Sequence, residues 1–151
     1  LKPSPPVWIG GRSQAAARRV GRVGDGWLVS SATPEEVRLG REIVFATADK
    51  AHREIEEDHI GVLLGFYICD EYENAADKSY QFVTRHRADA HFTEFTALGN
   101  VEQVAEMIQK YIDAGAFKFA VRPLCAGTES IEQLERMGEE ILPLFHKSPL
   151  A

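Results

Sequence analysis

Cysteine is scarce in this chain: Cys69 and Cys125 are the two in 151 residues, too few for a disulfide framework or a thiolate metal cluster. No apolar run approaches the roughly 18 residues of a membrane-spanning helix. Lys and Arg, 17 in all, are outnumbered by 23 Asp and Glu, and they form no basic run. The net charge of −6 therefore argues against nucleic acid as a general partner. No secretory leader is visible, because the N-terminal residues are rich in proline and lack an apolar stretch. The chain opens on Leu1 rather than methionine, which reads as a fragment or a processed product. A cytoplasmic setting is the default expectation. Familiar hydrolytic machinery is missing too: no Ser-His-Asp set, no paired carboxylates and no HExxH motif.

What is present is a globular composition, 44% hydrophobic and 26% charged, in a length suited to one domain. The chain is organised around its opening stretch. Val7-Trp8-Ile9 is a short β-favouring run behind Pro3, Pro5 and Pro6. Gly10-Gly11 permits a sharp turn, and Ser13 is suited to cap a helix with apolar positions at Ala16, Ala17, Val20 and Val23. Gly24 stands where a helix-ending glycine belongs. Strand, glycine turn and helix start aim backbone N–H groups and a positive helix end at one point, and Arg12 adds a full charge. That combination suits phosphate, although a tight turn with a surface arginine would look the same.

Three further strand–helix units follow. Trp27 to Ser30 reads as a strand, and Thr33-Pro34-Glu35-Glu36 opens a helix to about Glu57 through a capping box. Ile60 to Cys69 is nearly all apolar, as expected of a parallel strand covered on both faces. A helix is predicted over Asn74 to about His91, with Phe92 to Leu98 left between helix and loop. Asn100, with Gln103 three residues on, caps a helix whose apolar face carries Val101, Val104, Ala105, Ile108 and Ile112, and Gly115 closes it. Phe117 to Leu124 is the fourth strand. Thr128 can cap a last helix burying Ile131, Leu134, Ile141, Leu142 and Phe145. Alternating strands and helices imply a parallel sheet. Four such units are half of a (β/α)₈ barrel, which takes about 250 residues. A doubly wound sheet is the competing architecture.

Two blocks carry a family resemblance. Trp8-Ile9-Gly10-Gly11-Arg12-Ser13, the Ala-rich helix and Gly24-Asp25-Gly26-Trp27-Leu28 form the first; Leu98-Gly99-Asn100-Val101-Glu102-Gln103-Val104-Ala105 with Ala114-Gly115 forms the second. Together they resemble the bacterial luciferase-like monooxygenase family, oxidoreductases that use the deazaflavin coenzyme F-420 or FMN. The resemblance covers the chain but only the C-terminal half of a family member. It implies one partial-barrel domain over 1–151, strands five to eight of the barrel, with a helical insertion at about 70–98. It also implies that Gly10, Gly11, Ser30 and Ser31 contact the cofactor phosphate, with Ser13 at the helix start and Arg12 and Arg122 as charge partners. The lysine often found near the second loop in that family has no counterpart in Ser31-Ala32-Thr33. Coenzyme F-420 is the favoured cofactor and FMN the alternative, with a small-molecule substrate. The groups around the reactive ring come largely from the other half of the barrel, so no catalytic residue is assigned. A non-catalytic flavin- or phosphate-binding half barrel and an assembly fragment are the competing readings. A half barrel also leaves strand edges and an apolar inner face open, so a homodimer or pairing with the N-terminal half is expected. His86 and His91 are five apart and read as a solvated face, Cys69 and Cys125 as small core residues, and Trp8 and Trp27 as wall packing.

Overall fold

The computed structural model describes residues 5–83 and 86–146. The chain divides into two compact units, Leu1–Leu63 with Lys110–Ala120 and Leu64–Gln109 with Val121–Ala151. Strand β3 (Ile60–Ile68) runs from the first into the second.

In the first unit, β1 (Trp8–Gly10) leads into helix α1 (Gln14–Val23), and β2 (Gly26–Ser30) into α2 (Pro34–Lys50). β1 pairs with β2 in parallel, Trp8 opposite Gly26 and Gly10 opposite Leu28. β2 pairs in parallel with the start of β3, Trp27 opposite Ile60 and Ser30 opposite Leu63. Alternation along β2 sends Trp27 and Val29 into the core and leaves Leu28 on the other, half-covered face. Trp27 is wholly enclosed, and Gly40 of α2 makes room for it: a Cβ there would stand 2.2 Å from the ring's Cη2. A glycine that costs about 1 kcal/mol of helix propensity is thus explained by the ring it admits. Gly21 plays the same part between helices, since a Cβ would meet the Val44 carbonyl at 2.5 Å. On the opposite face Trp8 lies across Gly26 and Gly61, whose added Cβ atoms would stand 2.6 and 3.3 Å from its ring.

Helix α2 begins as the sequence predicts. The Glu36 N–H donates to Thr33 Oγ1 at 3.3 Å, and the Thr33 N–H to Glu36 Oε2 at 2.8 Å. It ends at Lys50, well before the expected Glu57. His52 takes a left-handed φ of +53°, and the Arg53 N–H turns back to the Ala48 carbonyl at 2.9 Å. Arg53 then donates to the Gly24 and Gly21 carbonyls at 2.7 and 3.3 Å, satisfying the last turn of α1. Gly24 has an extended φ of −92°, so its value is space beside Ile9 and Val20 rather than a left-handed turn.

In the second unit, β4 (Thr96–Gly99) pairs in parallel with the end of β3, Gly65 opposite Thr96 and Ile68 opposite Gly99. Three of its four residues, Thr96 to Leu98, fall in the stretch Phe92 to Leu98 that reads from sequence as possible loop. Helix α3 (Tyr72–Tyr80) is shorter than the predicted 74–91. Tyr67, Ala75, Phe92, Phe95, Leu98 and Leu124 form the core there. Helix α4 (Val101–Asp113) starts on a reciprocal cap, with the Gln103 N–H to Asn100 Oδ1 at 2.9 Å and the Asn100 N–H to Gln103 Oε1 at 3.0 Å. Strand β5 (Lys118–Pro123) pairs with β3; the Phe117 N–H reaches the Ile60 carbonyl and the Leu124 N–H the Phe66 carbonyl.

Helix α5 (Thr128–Arg136) departs most from expectation. Gly127, at φ +65°, precedes it, and Thr128 is the first helical residue rather than the cap. Wider π-type turns over Met137–Ile141 lead into the short α6 (Leu142–Phe145). Ile131, Leu134 and Leu142 are exposed, whereas Gln133 is buried. The reason lies in the backbone of Ile68. Its N–H and carbonyl face the same edge as Phe66, whose carbonyl bonds β5, but β5 extends no further. Gln133 supplies the missing strand: its Oε1 accepts from the Ile68 N–H at 2.7 Å and its Nε2 donates to the Ile68 carbonyl at 2.9 Å. Two buried backbone groups outweigh two leucine-sized side chains in setting the helix rotation. Gln133→Ala would leave the Ile68 N–H unpaired, while Arg136 still reaches its carbonyl at 2.9 Å. The expected cost is about 1–3 kcal/mol in denaturant unfolding, and Gln133→Leu should cost as much despite its added apolar surface.

Candidate phosphate cradle at the strand ends of the first unit

The β1–α1 and β2–α2 loops leave neighbouring parallel strands at the same end. Gly10 is level with Leu28, two residues before Ser30, and Arg12 reaches Glu36 at the start of α2. Gly10 thus ends β1 with Gly11, Arg12 and Ser13 following it, and Ser30 ends β2 with Ser31 following it, at the same end of two paired strands. Gly11 has a φ of +107°, and a Cβ would stand 3.0 Å from the Cβ of Ala16. Both facts restrict the position to glycine. Its carbonyl accepts from Trp27 Nε1 at 2.8 Å, so the wall tryptophan also pins the turn. The Gly-Asp-Gly-Trp run puts that indole one strand away, a role that packing alone does not signal.

Ser13 caps α1, its Oγ accepting from the Ala16 N–H at 3.2 Å. The N–H groups of Gln14 and Ala15, in the first turn of α1, have no acceptor within the helix, as at any helix N-terminus. The start of α2 is different. Pro34 has no N–H, and the Thr33 and Glu36 N–H groups are taken by the capping box. Both loops end in a helix cap, and the geometry leaves α1 as the better anion end. Arg12 and Glu36 form an ion pair at 3.4 Å, each about a third exposed, so the α2 cap carboxylate and the cradle arginine are coupled. Ser31 adopts a left-handed φ of +52°, a conformation that costs a non-glycine residue about 1–2 kcal/mol. Ser30 is exposed beside it.

Arg122 belongs to the second unit, where its Nη2 donates to the Phe82 carbonyl at 2.7 Å. A polar network that sequence spacing could not reveal also lies in this unit. The Tyr67 hydroxyl donates to Glu129 Oε1 and accepts from Lys78 Nζ at 3.2 Å. Burial, and then the Glu129 carboxylate, push the phenol above its ordinary range. Residues 67 and 129 are 62 apart, and no motif links them. Burial likewise pushes the Cys125 thiol up, so it is a core group rather than a ready thiolate, as its sequence setting suggested.

A family model described as luciferase-like monooxygenase matches residues 1–96. No curated protein matches the chain. Among solved structures, the coenzyme F-420-dependent tetrahydromethanopterin reductase from Methanopyrus kandleri is 16% identical, with a TM-score of 0.70 over 93% of this chain and 51% of that one. A monooxygenase from Streptomyces bottropensis is 20% identical, with a TM-score of 0.71 over 97% and 50%. The oxygenating constituent of a diketocamphane monooxygenase from Pseudomonas putida, solved with FMN, is 14% identical, with a TM-score of 0.67 over 93% and 49%. The chain spans about half the length of these structures. They establish the fold: α/β with parallel strands, matching half of a (β/α)₈ barrel rather than a doubly wound sheet. No helix among the described residues is long and apolar enough to cross a membrane.

Proposed function

Because the chain belongs to the luciferase-like monooxygenase family, we propose that it is the C-terminal, cofactor-phosphate-binding half of a flavin- or deazaflavin-dependent oxidoreductase. The observation that carries the reading is the Gly11 turn. Its left-handed backbone and the 3.0 Å that a Cβ would stand from the Ala16 Cβ leave no room for a side chain, so the backbone itself is the surface presented at the start of α1. Phosphate fits that donor set. Backbone N–H groups at Gly11 and the first turn of α1 would hold its oxygens, Ser30 and Ser31 would add hydroxyl donors, and Arg12 would add charge. The bound ring would supply the redox step. The residues of this half bind and orient its phosphate tail, so little turnover is expected from the chain alone. Coenzyme F-420 is favoured over FMN because the Trp-Ile-Gly-Gly-Arg-Ser and Gly-Asp-Gly-Trp blocks resemble that branch more closely. The partial barrel functions as one domain and pairs with a second copy or with the first half of a barrel; among the described residues β1 pairs with β2 only.

The test is an equilibrium titration of the chain with F-420, FMN and riboflavin, which lacks the phosphate. Phosphate-dependent binding is expected, with riboflavin at least tenfold weaker. Equal affinity for riboflavin and FMN, or no binding of either phosphorylated cofactor, would overturn the reading. Ser31→Gly separates strain from binding. It should raise stability by about 1 kcal/mol by relieving the +52° backbone, while cofactor affinity falls severalfold through the lost hydroxyl.

A further inference from the structure

At the other end of the first unit, we propose that Glu56, Asp58 and His59 form a binding site for a divalent transition-metal ion of the zinc class. One donor atom from each lies within 4.8 Å of the others, and this is the one such group among the described residues. A 3-10 turn at Glu57–His59, closed by the His59 N–H on the Glu56 carbonyl at 2.9 Å, brings positions 56 and 59 to the same side. The site is remote from the phosphate cradle: His59 precedes Ile60, which pairs with Trp27 near the start of β2, whereas the cradle lies beyond its end.

The imidazole supplies the decisive detail. His59 Nδ1 is 2.7 Å from the Asp25 carbonyl oxygen. A carbonyl can only accept, so Nδ1 carries the proton in that bond. In the neutral ring Nε2 then holds its lone pair outward, 3.7 Å from Glu56 Oε2 and 3.8 Å from Asp58 Oδ1. A histidine that donates one ring nitrogen to a backbone carbonyl and offers the other beside carboxylates has the outer support typical of metal ligands. The ring is held further by Trp8, with centroids 5.2 Å apart.

Donors about 2.0–2.2 Å from one ion stand about 3–3.6 Å from each other, so from a group within 4.8 Å the carboxylates must close by about 1–2 Å. Glu56, whose side chain is 79% exposed, can move that far. One imidazole and two carboxylates suit zinc or nickel rather than calcium, which takes six to eight oxygens. Water would complete the shell. Lys118 opposes the ion: its Nζ lies 2.7 Å from both Asp58 Oδ2 and the Asp58 carbonyl, though Oδ1 remains turned to the histidine. The same ammonium stands 5.5 Å from the Trp8 ring.

Trp8 is a built-in reporter, because a paramagnetic ion held by His59 lies close enough to quench it. Nickel titrated into the 151-residue chain should quench tryptophan emission saturably, with reversal by EDTA and by competing zinc. His59→Gln keeps an amide N–H for the Asp25 carbonyl but removes the imidazole lone pair, and should weaken nickel about tenfold or more with unchanged circular dichroism. Lys118→Met should tighten it about tenfold, the effect of removing one unit charge several Å from a divalent ion in water. Should His59→Gln fold poorly, Glu56→Gln on the exposed arm serves instead, with a weaker nickel affinity expected. Linear, non-saturating quenching, or titrations identical in wild type and the folded variants, would overturn the site. Neither result depends on the phosphate cradle.

Discussion

Trp27→Ala should lower the unfolding free energy by about 3–5 kcal/mol, the largest single-residue effect expected here. The indole is wholly enclosed, and its far edge occupies the hollow left by Gly40. Against a typical total of 5–15 kcal/mol, such a loss leaves the chain marginal. Gly40→Ala approaches the same contact from the helix. Alanine gains about 1 kcal/mol of helix propensity, yet its methyl would meet Cη2 at 2.2 Å, where an unstrained contact needs more than 3 Å. The ring cannot retreat, because its Nε1 is tied to the Gly11 carbonyl at 2.8 Å. A net loss of about 1–3 kcal/mol follows. Trp27→Leu removes the colliding edge, so Gly40→Ala should be harmless or favourable in that background. Chemical denaturation of the four-member cycle would measure the coupling. Additive single effects would show that ring and glycine do not meet as described.

Gly11→Val is expected to weaken cofactor binding by at least about tenfold, or 1.4 kcal/mol, while leaving helix content unchanged. A β-branched residue is excluded from φ +107°, and its Cβ would sit 3.0 Å from that of Ala16. The turn must therefore move, and with it the backbone N–H groups proposed to hold the phosphate. Ala16 stands in the first turn of α1, so the displaced side chain would also cover the anion end. Titration with FMN or F-420 alongside circular dichroism separates this from unfolding. Unchanged affinity in a folded variant would remove Gly11 from the cradle.

The parts of this molecule that could be read from the sequence are those set by local chemistry. Thr33-Pro34-Glu35-Glu36 carries its cap in four adjacent residues, as does Asn100 with Gln103, and both helices start where predicted. The apolar run from Ile60 announces β3 for the same reason. Departures occur where distant groups decide. Nothing between residues 50 and 57 shows that His52 will turn left-handed so that Arg53 can reach the end of α1. Helix α5 looked amphipathic with Ile131 and Leu134 inward, because the demand of the Ile68 backbone lies 65 residues away. In the cradle, Gly10, Gly11 and Ser13 were legible as a turn and cap. The Trp27 tether, the left-handed Ser31 and the Glu36 partner of Arg12 were not, since each needs two loops folded side by side.

The side-chain amide that completes β3 also fixes where the chain tolerates insertions and deletions. Each residue added within α5 ahead of Gln133 would rotate that amide about 100° around the helix and lift it off Ile68. The segment Thr128–Gln133 is therefore of set length, and single-residue indels there should be selected against however polar the surface. The stretch between Arg53 and Glu56 bears no such phase relation, because extended backbone absorbs an extra residue without turning a side chain through a fixed angle. Length variation among natural or engineered versions of this half barrel should collect in that connection and be absent from the first turn and a half of α5.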